Sequence, residues 1–315
     1  MATAIDTLET DRRLLWGLCY RMTGNAADAD DLVQETFVRA IEKPPARTDQ
    51  PMRPWLIRVA INLSRDLLRR RRRQGYVGPW LPSPVPTDEE SPASYEPPAP
   101  DKDSPASRYD LKESISFAFL LALEALTPTQ RAVLLLRDVF DYSTSDTASA
   151  LDMTESNVKV TLLRARRKMS DYNKAEAIEP ARQEATRRAL EQFLLYLNTR
   201  DAAGIERLLA EDVVSTSDSG GEVLAARNPV RGRDRVLRLI FGLASKALIK
   251  PRFSIRSFNG LPGILVEDLP VAENVAPKYT IHFELDNEGR VRRLDTVLSP
   301  GKLTFVGEKP EHLFA

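Results

Sequence analysis

The 315-residue chain has one cysteine, Cys19, two histidines, His282 and His312, and no net charge, with 45 Lys+Arg against 45 Asp+Glu. A single cysteine excludes an intramolecular disulfide framework and fits a reducing compartment, with Cys19 read as a small buried hydrophobe. No apolar run approaches the ~20 residues of a membrane span, and Met1 to Asp11 has no signal-peptide core. A cytoplasmic protein without membrane contact is expected. Zero net charge argues against a nucleic-acid binder, which usually carries a basic surplus. That argument holds only if the charge is evenly spread.

It is not. Residues 1–78 hold 14 Lys+Arg against 10 Asp+Glu, and residues 79–110 hold 2 against 7. Residues 111–172 balance at 8 and 8, and residues 173–315 hold 21 against 20. The acidic stretch also contains 9 of the 22 prolines, so it reads as a linker with little to bury. The expected organisation is a helical piece (1–78), an acidic Pro-rich linker (79–110), a second helical piece (111–172) and a third domain (173–315).

In the first piece Ala29, Leu32, Val33, Phe37, Ala40 and Ile41 have the spacing of one helix face, with Asp28, Asp31, Gln34, Glu35 and Arg39 opposite. A second helix opens at Pro54 and runs to Arg73, with Leu56, Val59, Ala60, Leu63 and Leu67 as its buried stripe. Arg58, Asn62, Arg65 and Arg69 share its other face, which runs into the Arg69–Arg73 run. Adjacent guanidinium groups repel one another unless a polyanion neutralises them, so the run points to phosphate contacts.

In the second piece Thr127-Pro128-Thr129-Gln130 is a capping-box pattern opening a helix with Ala132, Val133 and Leu136 inside. Ser143 caps a short helix, a turn follows at Asp152-Met153, and Thr154 caps a third helix whose core face is Val158, Leu162, Ala165 and Met169. A short helix, tight turn and polar-fronted helix is the layout of a helix-turn-helix. Ser156, Asn157, Lys159, Val160, Arg164 and Arg167 are the candidate DNA-reading residues of its second helix.

Leu18-Cys19-Tyr20-Arg21-Met22-Thr23-Gly24-Asn25 and Ala29-Asp30-Asp31-Leu32-Val33-Gln34-Glu35-Thr36-Phe37 resemble region 2 of the extracytoplasmic-function (ECF) sigma factors of RNA polymerase. Trp55 to Asn62 resembles that region's promoter-reading helix, and Leu126 to Arg131 with Val158-Lys159 and Arg164-Ala165-Arg166 resembles region 4. The resemblance covers about residues 8–172. It departs from the family at Asp146-Thr147-Ala148, where Glu-Ile-Ala is usual, and the lost apolar residue is expected to loosen the first helix of the helix-turn-helix.

The resemblance implies core RNA polymerase and promoter DNA as partners. Asp28, Asp31, Gln34 and Glu35 would dock on polymerase. Arg58, Asn62, Arg65 and Arg69, with residues near Arg47 to Met52, would read the −10 element as single strand. The Ser156–Lys168 helix would read the −35 element as duplex, and the acidic linker would thread through polymerase. No catalytic residue, metal or cofactor is implied.

In the third piece, helices over Ala185 to Leu209 precede strands at Val213–Thr216 and Val223–Ala226 around an Asp218-Ser219-Gly220-Gly221 turn. A helix over Arg233 to Leu248, a tight turn at Asn259-Gly260, and strands at Tyr279–Leu285 and Val291–Leu298 complete the pattern. The order resembles the α+β SnoaL-like cone that one subgroup of these sigma factors carries. Altered forms of that subgroup's motifs are present at Trp80-Leu81-Pro82-Ser83-Pro84 and Asp218-Ser219-Gly220-Gly221. The resemblance implies a regulatory contact between Trp80, Leu81 and Pro82 and Asp218, Gly220 and Gly221, and a small apolar ligand in the cone is a further expectation. A cyclase-like enzyme would need a group beside His282, and none can be placed from the sequence. A polymerase-independent DNA-binding regulator with a ligand-sensing domain is the other alternative.

Overall fold

The computed structural model describes residues 4–44, 51–87, 108–109, 111, 113–170, 172, 179–246, 251–269 and 274–307, without the side chains of residues 4–9 and 246. Arg47 to Gln50, most of the acidic linker, Ala247–Leu248 and His312 lie outside them. The chain forms two compact units, Met1–Gly75 with Ser91–Ala177, and Tyr76–Glu90 with Ile178–Ala315.

The first unit contains both helical pieces. Helices α1 (Ala4–Thr23), α2 (Ala26–Glu42) and α3 (Arg53–Gln74) pack together. Asn25 caps α2, its Oδ1 accepting the Ala27 and Asp28 N–H groups. Ala29, Leu32, Val33, Phe37 and Ala40 are buried as the spacing predicts, but Ile41 is 64% exposed. It lies at the margin of the stripe in the last turn of α2. On α3 the fully buried face is Leu56, Ile57, Ala60, Ile61 and Ser64, with Val59, Leu63 and Leu67 half-buried at its border. Cys19 is buried, and burial pushes its thiol up to about 12.

The second helical piece consists of α4 (Phe117–Leu123), α5 (Pro128–Leu134), a π turn at Leu135–Val139, α6 (Thr144–Leu151) and α7 (Glu155–Lys168). The capping box forms: Thr127 Oγ1 accepts from Gln130 N–H at 3.2 Å, and Gln130 Oε1 accepts from Thr127 N–H at 3.1 Å. Ser143 caps α6, Asp152 ends it in the left-handed conformation with φ 52°, and Thr154 caps α7. Thr147 is buried, and its Oγ1 has no partner among the described residues. Helix α6 forms regardless, so the missing methyls act as an unsatisfied hydroxyl inside the fold rather than as a broken helix.

The second unit has helices α8 (Pro180–Thr199), α9 (Ala202–Leu208) and α10 (Arg233–Lys246) and one six-stranded sheet. Its strands are β1 (Leu209–Asp218), β2 (Val230–Arg231), β3 (Arg252–Phe258), β4 (Leu261–Glu267), β5 (Tyr279–Leu285) and β6 (Val291–Val297), in the order β2-β1-β6-β5-β4-β3. Among these strands β1 and β6 pair in parallel and the other neighbouring pairs are antiparallel. Leu190, Phe193, Ile205, Leu208 and Val236 from the helices meet Ile264, Ile281, Phe283, Val291 and Leu294 from the sheet. Asn259 and Gly260 turn β3 into β4 with φ 54° and 81°, as a two-residue hairpin requires.

Two expectations fail. Val223 to Ala226 is not a strand: β1 pairs with β2, and Leu224 is 84% exposed in the intervening loop. The linker also does not lack buried surface. Leu81, Pro82, Ser83, Pro84 and Val85 are all buried in the second unit. Prolines prevent helix formation but leave apolar side chains free to pack an extended segment onto a sheet.

Candidate nucleic-acid and polymerase interfaces

On α2, Asp31, Gln34 and Glu35 are exposed; Glu35 pairs with Arg39 at 2.9 Å, and Gln34 donates to Asp30 at 3.0 Å. Asp28 stands apart from them. It is half-buried and ion-paired with Arg71, tying α2 to the arginine run of α3. Val38 and Ile41 complete the exposed face, giving it an apolar centre beside the acidic residues. Helical period alone places Ile41 on the core face.

On α3, Arg58, Asn62 and Arg69 are exposed and Arg65 is half-buried. Burial, with Arg69 nearby, pushes the Arg65 pKa down, against a smaller opposing effect of Asp66. Arg69 pairs with Asp66 at 3.3 Å, and Arg58 Nη2 donates to the Ser149 carbonyl on α6. Arg39, Leu63, Asp66, Arg69, Arg70, Arg72 and Arg73 line a groove of about 760 Å³. A groove with that much positive charge matches a phosphodiester backbone.

On α7, Ser156, Asn157, Lys159, Val160, Arg164 and Arg167 are all exposed, while Val158, Leu162 and Ala165 are buried. Leu163, 52% exposed, joins Val160 as an apolar spot among them, suited to a thymine methyl. Two cations of this helix serve the fold instead. Arg166 grips the buried Asp138 through Nε and Nη2 at 2.9 and 2.6 Å, and Lys168 donates to the Ala125 carbonyl at 3.1 Å.

In the second unit Asp218 is fully buried at the end of β1. Its Oδ1 accepts from Tyr76 Oη at 2.6 Å and Gly220 N–H at 3.0 Å. Its Oδ2 accepts from Leu81 N–H at 2.7 Å and Lys302 Nζ at 2.6 Å. Lys302 also donates to the Leu81 carbonyl at 2.5 Å and lies over the rings of Tyr76 and Trp80. Gly221, at φ 82°, lies so close to Val77 that an added Cβ would be 3.0 Å from it. A second anchor holds the other end of the segment. Val85 N–H donates to Asn259 Oδ1, Asn259 N–H to the Val85 carbonyl, and Gly260 N–H to Thr87 Oγ1, each at 2.9 Å. The roles of Tyr76, Lys302 and Asn259 escaped sequence reasoning because their partners are more than eighty residues away.

His282 has a titratable neighbour that the sequence did not indicate: Asp295 is its cross-strand partner on β6. Both are buried. Burial lowers the His282 pKa to about 3 and raises that of Asp295, the latter opposed by Arg293. The unfolded His282 protonates near 6.5 and the folded one only near 3, so the stability linked to it is full above pH 6.5 and lost as the pH falls between those values. Asp295 acts in the opposite sense. Urea titrations of the full chain should show the second unit losing stability as the pH falls from about 6.5 towards 3, partly offset by Asp295. That acid limb should flatten in His282→Asn; an unchanged limb would assign it elsewhere.

Two helical modules, one with a helix-turn-helix and one with an arginine-lined groove, accompany an α+β unit in one chain. Residues 8–74 match the Sigma-70 region 2 family model, and residues 116–169 match Sigma-70, region 4. Over 308 residues the chain is 30% identical to the ECF RNA polymerase sigma factor SigJ of Mycobacterium tuberculosis, covering 95% of this chain and 93% of that protein. It is also 36% identical over 210 residues to SigG of the same organism, covering 64% and 56% of the two chains. The crystal structure of Mycobacterium tuberculosis SigJ matches with a TM-score of 0.68 and 26% identity, covering 96% of this chain and 98% of that one. The chain belongs to the ECF RNA polymerase sigma factors, which are initiation factors and not enzymes. Among the described residues no helix is long and apolar enough to cross a membrane.

Proposed function

We propose that this sigma factor divides its work among three surfaces and is regulated by its own C-terminal unit. The α2 face around Asp31, Gln34, Glu35, Val38 and Ile41 docks on core RNA polymerase. Arg58, Asn62, Arg65 and Arg69 of α3 read the single-stranded −10 element, with the arginine groove holding its phosphates. Ser156, Asn157, Lys159, Val160, Leu163, Arg164 and Arg167 of α7 read the −35 duplex. The observation that carries the reading is the exposure of all these α7 residues over a fully buried opposite face. Two weak DNA modules gain affinity by effective concentration once polymerase spaces them, so neither needs a strong charge of its own.

The linker links this work to the C-terminal unit. Residues Leu81 to Thr87 cannot lie against Asp218 and Asn259 while also threading polymerase, so the unit and polymerase compete for them. A small ligand in the cone would act by shifting that competition.

Docking is tested by fluorescence anisotropy of labelled full chain with core polymerase. Asp31→Lys with Glu35→Lys should weaken binding by at least about tenfold, since both residues lie on the proposed contact face. Equal affinity in variant and parent would remove α2 as the docking helix.

A further inference from the structure

Five arginines fall within the twelve residues from Arg227 to Arg238, with Asp234 as the single acid among them. Arg227 precedes β2, Arg231 ends it, and Arg233, Arg235 and Arg238 belong to α10. Arg227, Arg231, Arg235 and Arg238 are exposed. Arg233 is half-buried, and its Nε has no hydrogen-bond partner among the described residues. None of the five pairs with a carboxylate among those residues. The arginines in and beside β3 and β6 are built differently. Arg252 pairs with Glu267 and Asp268 at 3.1 and 2.9 Å, and Arg290 with Asp286 and Glu288 at 3.1 and 3.0 Å. Arg293 pairs with Asp295 at 3.2 Å, and Arg292 with Glu284.

The cluster also works against its own helix. Arg233 and Arg235 sit in the first turn of α10, where the helix dipole is positive and repels cations. Gly232 stands just before that turn with no side chain to cap it. Guanidinium groups that repel one another at the positive end of a helix lower its stability, and a polyanion reverses both effects. Arg235 and Arg238, three residues apart, are neighbours on the helix surface. Val236 is buried, and Leu237, Ile240 and Phe241 pack on the core, so the arginine side of α10 faces solvent. Between residues 227 and 238 no large apolar side chain is exposed. A protein-binding patch has an apolar or aromatic centre, whereas contacts to a phosphate backbone need donors and charge alone.

We propose that the Arg227–Arg238 segment is a third DNA-contacting surface of this chain, one that grips the phosphodiester backbone of promoter DNA without reading bases. The proposal rests on promoter DNA as a ligand of the chain. It adds the C-terminal unit to the contacts assigned above to α3 and α7.

The test uses holoenzyme assembled from core polymerase and the full chain, with Arg231→Gln, Arg235→Gln and Arg238→Gln combined at three exposed positions. The variant should bind every promoter more weakly by a common factor of at least about tenfold. The slope of log affinity against log salt should fall by about 2–3, as the loss of three phosphate contacts requires. Hydroxyl-radical footprints should lose a patch of protected backbone outside the −10 and −35 elements and keep those two protections. Identical salt slopes and footprints in parent and variant would overturn the proposal. A weaker affinity of the variant for core polymerase without DNA would also overturn it, by making the segment a protein-binding surface. Absence of the −10 and −35 protections from the parent would instead defeat the assignment of α3 and α7, whereas their presence without a third patch defeats this proposal alone.

Discussion

Asp218→Ala should release residues 81–85 from the second unit. The substitution leaves Lys302, whose side chain is 4% exposed, as a buried ammonium without its carboxylate, and strips acceptors from Tyr76 and the Leu81 and Gly220 amides. Removing one partner of a buried ion pair costs about 3–5 kcal/mol, so the second unit should lose that much stability. Hydrogen exchange of the full chain is the readout, with amides of residues 81 and 85 exchanging at least about a hundredfold faster. Asp218→Asn should give an intermediate result, because the acceptor oxygen survives without the charge. Run-off transcription should change in the same variants if the clamp regulates the factor. Slow exchange in Asp218→Ala would mean that the Asn259 anchor alone holds the linker.

Substitutions on α7 and α3 should separate by promoter element. Lys159→Ala and Arg164→Ala remove exposed donors from the proposed −35 reader, each expected to cost about 1–3 kcal/mol of binding, or roughly 5- to 150-fold in promoter use. Asn62→Ala should leave −35 preference intact and change −10 choice. Leu163→Ala supplies a chemical check: if Leu163 packs on a thymine methyl, replacing that thymine with uracil should weaken the parent and leave Leu163→Ala unaffected. The same promoter-independent loss in every variant would contradict the division of labour.

Local signals were legible where the chemistry is local. The Thr127 capping box, the Ser143 and Thr154 caps and the Asn259-Gly260 turn each depend on residues within three positions, and each forms as the sequence predicts. The exposed face of α7 was equally readable, because one face of an amphipathic helix fixes the other. Period alone misplaced Ile41, since a helix stripe at its last turn can extend beyond its packing partner. It also misjudged Val223–Ala226, where the β1 edge is taken by Val230–Arg231 instead. The linker clamp was legible only in part. The resemblance brought Leu81 and Asp218 together, but Lys302 carries no local mark of its role. Nothing in Pro300-Gly301-Lys302 indicates a buried cation completed by Tyr76 and Trp80 more than two hundred residues earlier. Zero net charge, likewise, is the sum of an arginine-rich helix, a basic α7 and an acidic linker, not evidence about any one of them.

The most direct test of the account is transcription by core polymerase with the full chain on a random promoter library. The account predicts start sites that depend on the chain and share both an upstream duplex element and a −10 element, with Arg164→Ala and Asn62→Ala altering one each. No chain-dependent start at any promoter, together with tight salt-sensitive duplex binding in the absence of polymerase, would contradict it.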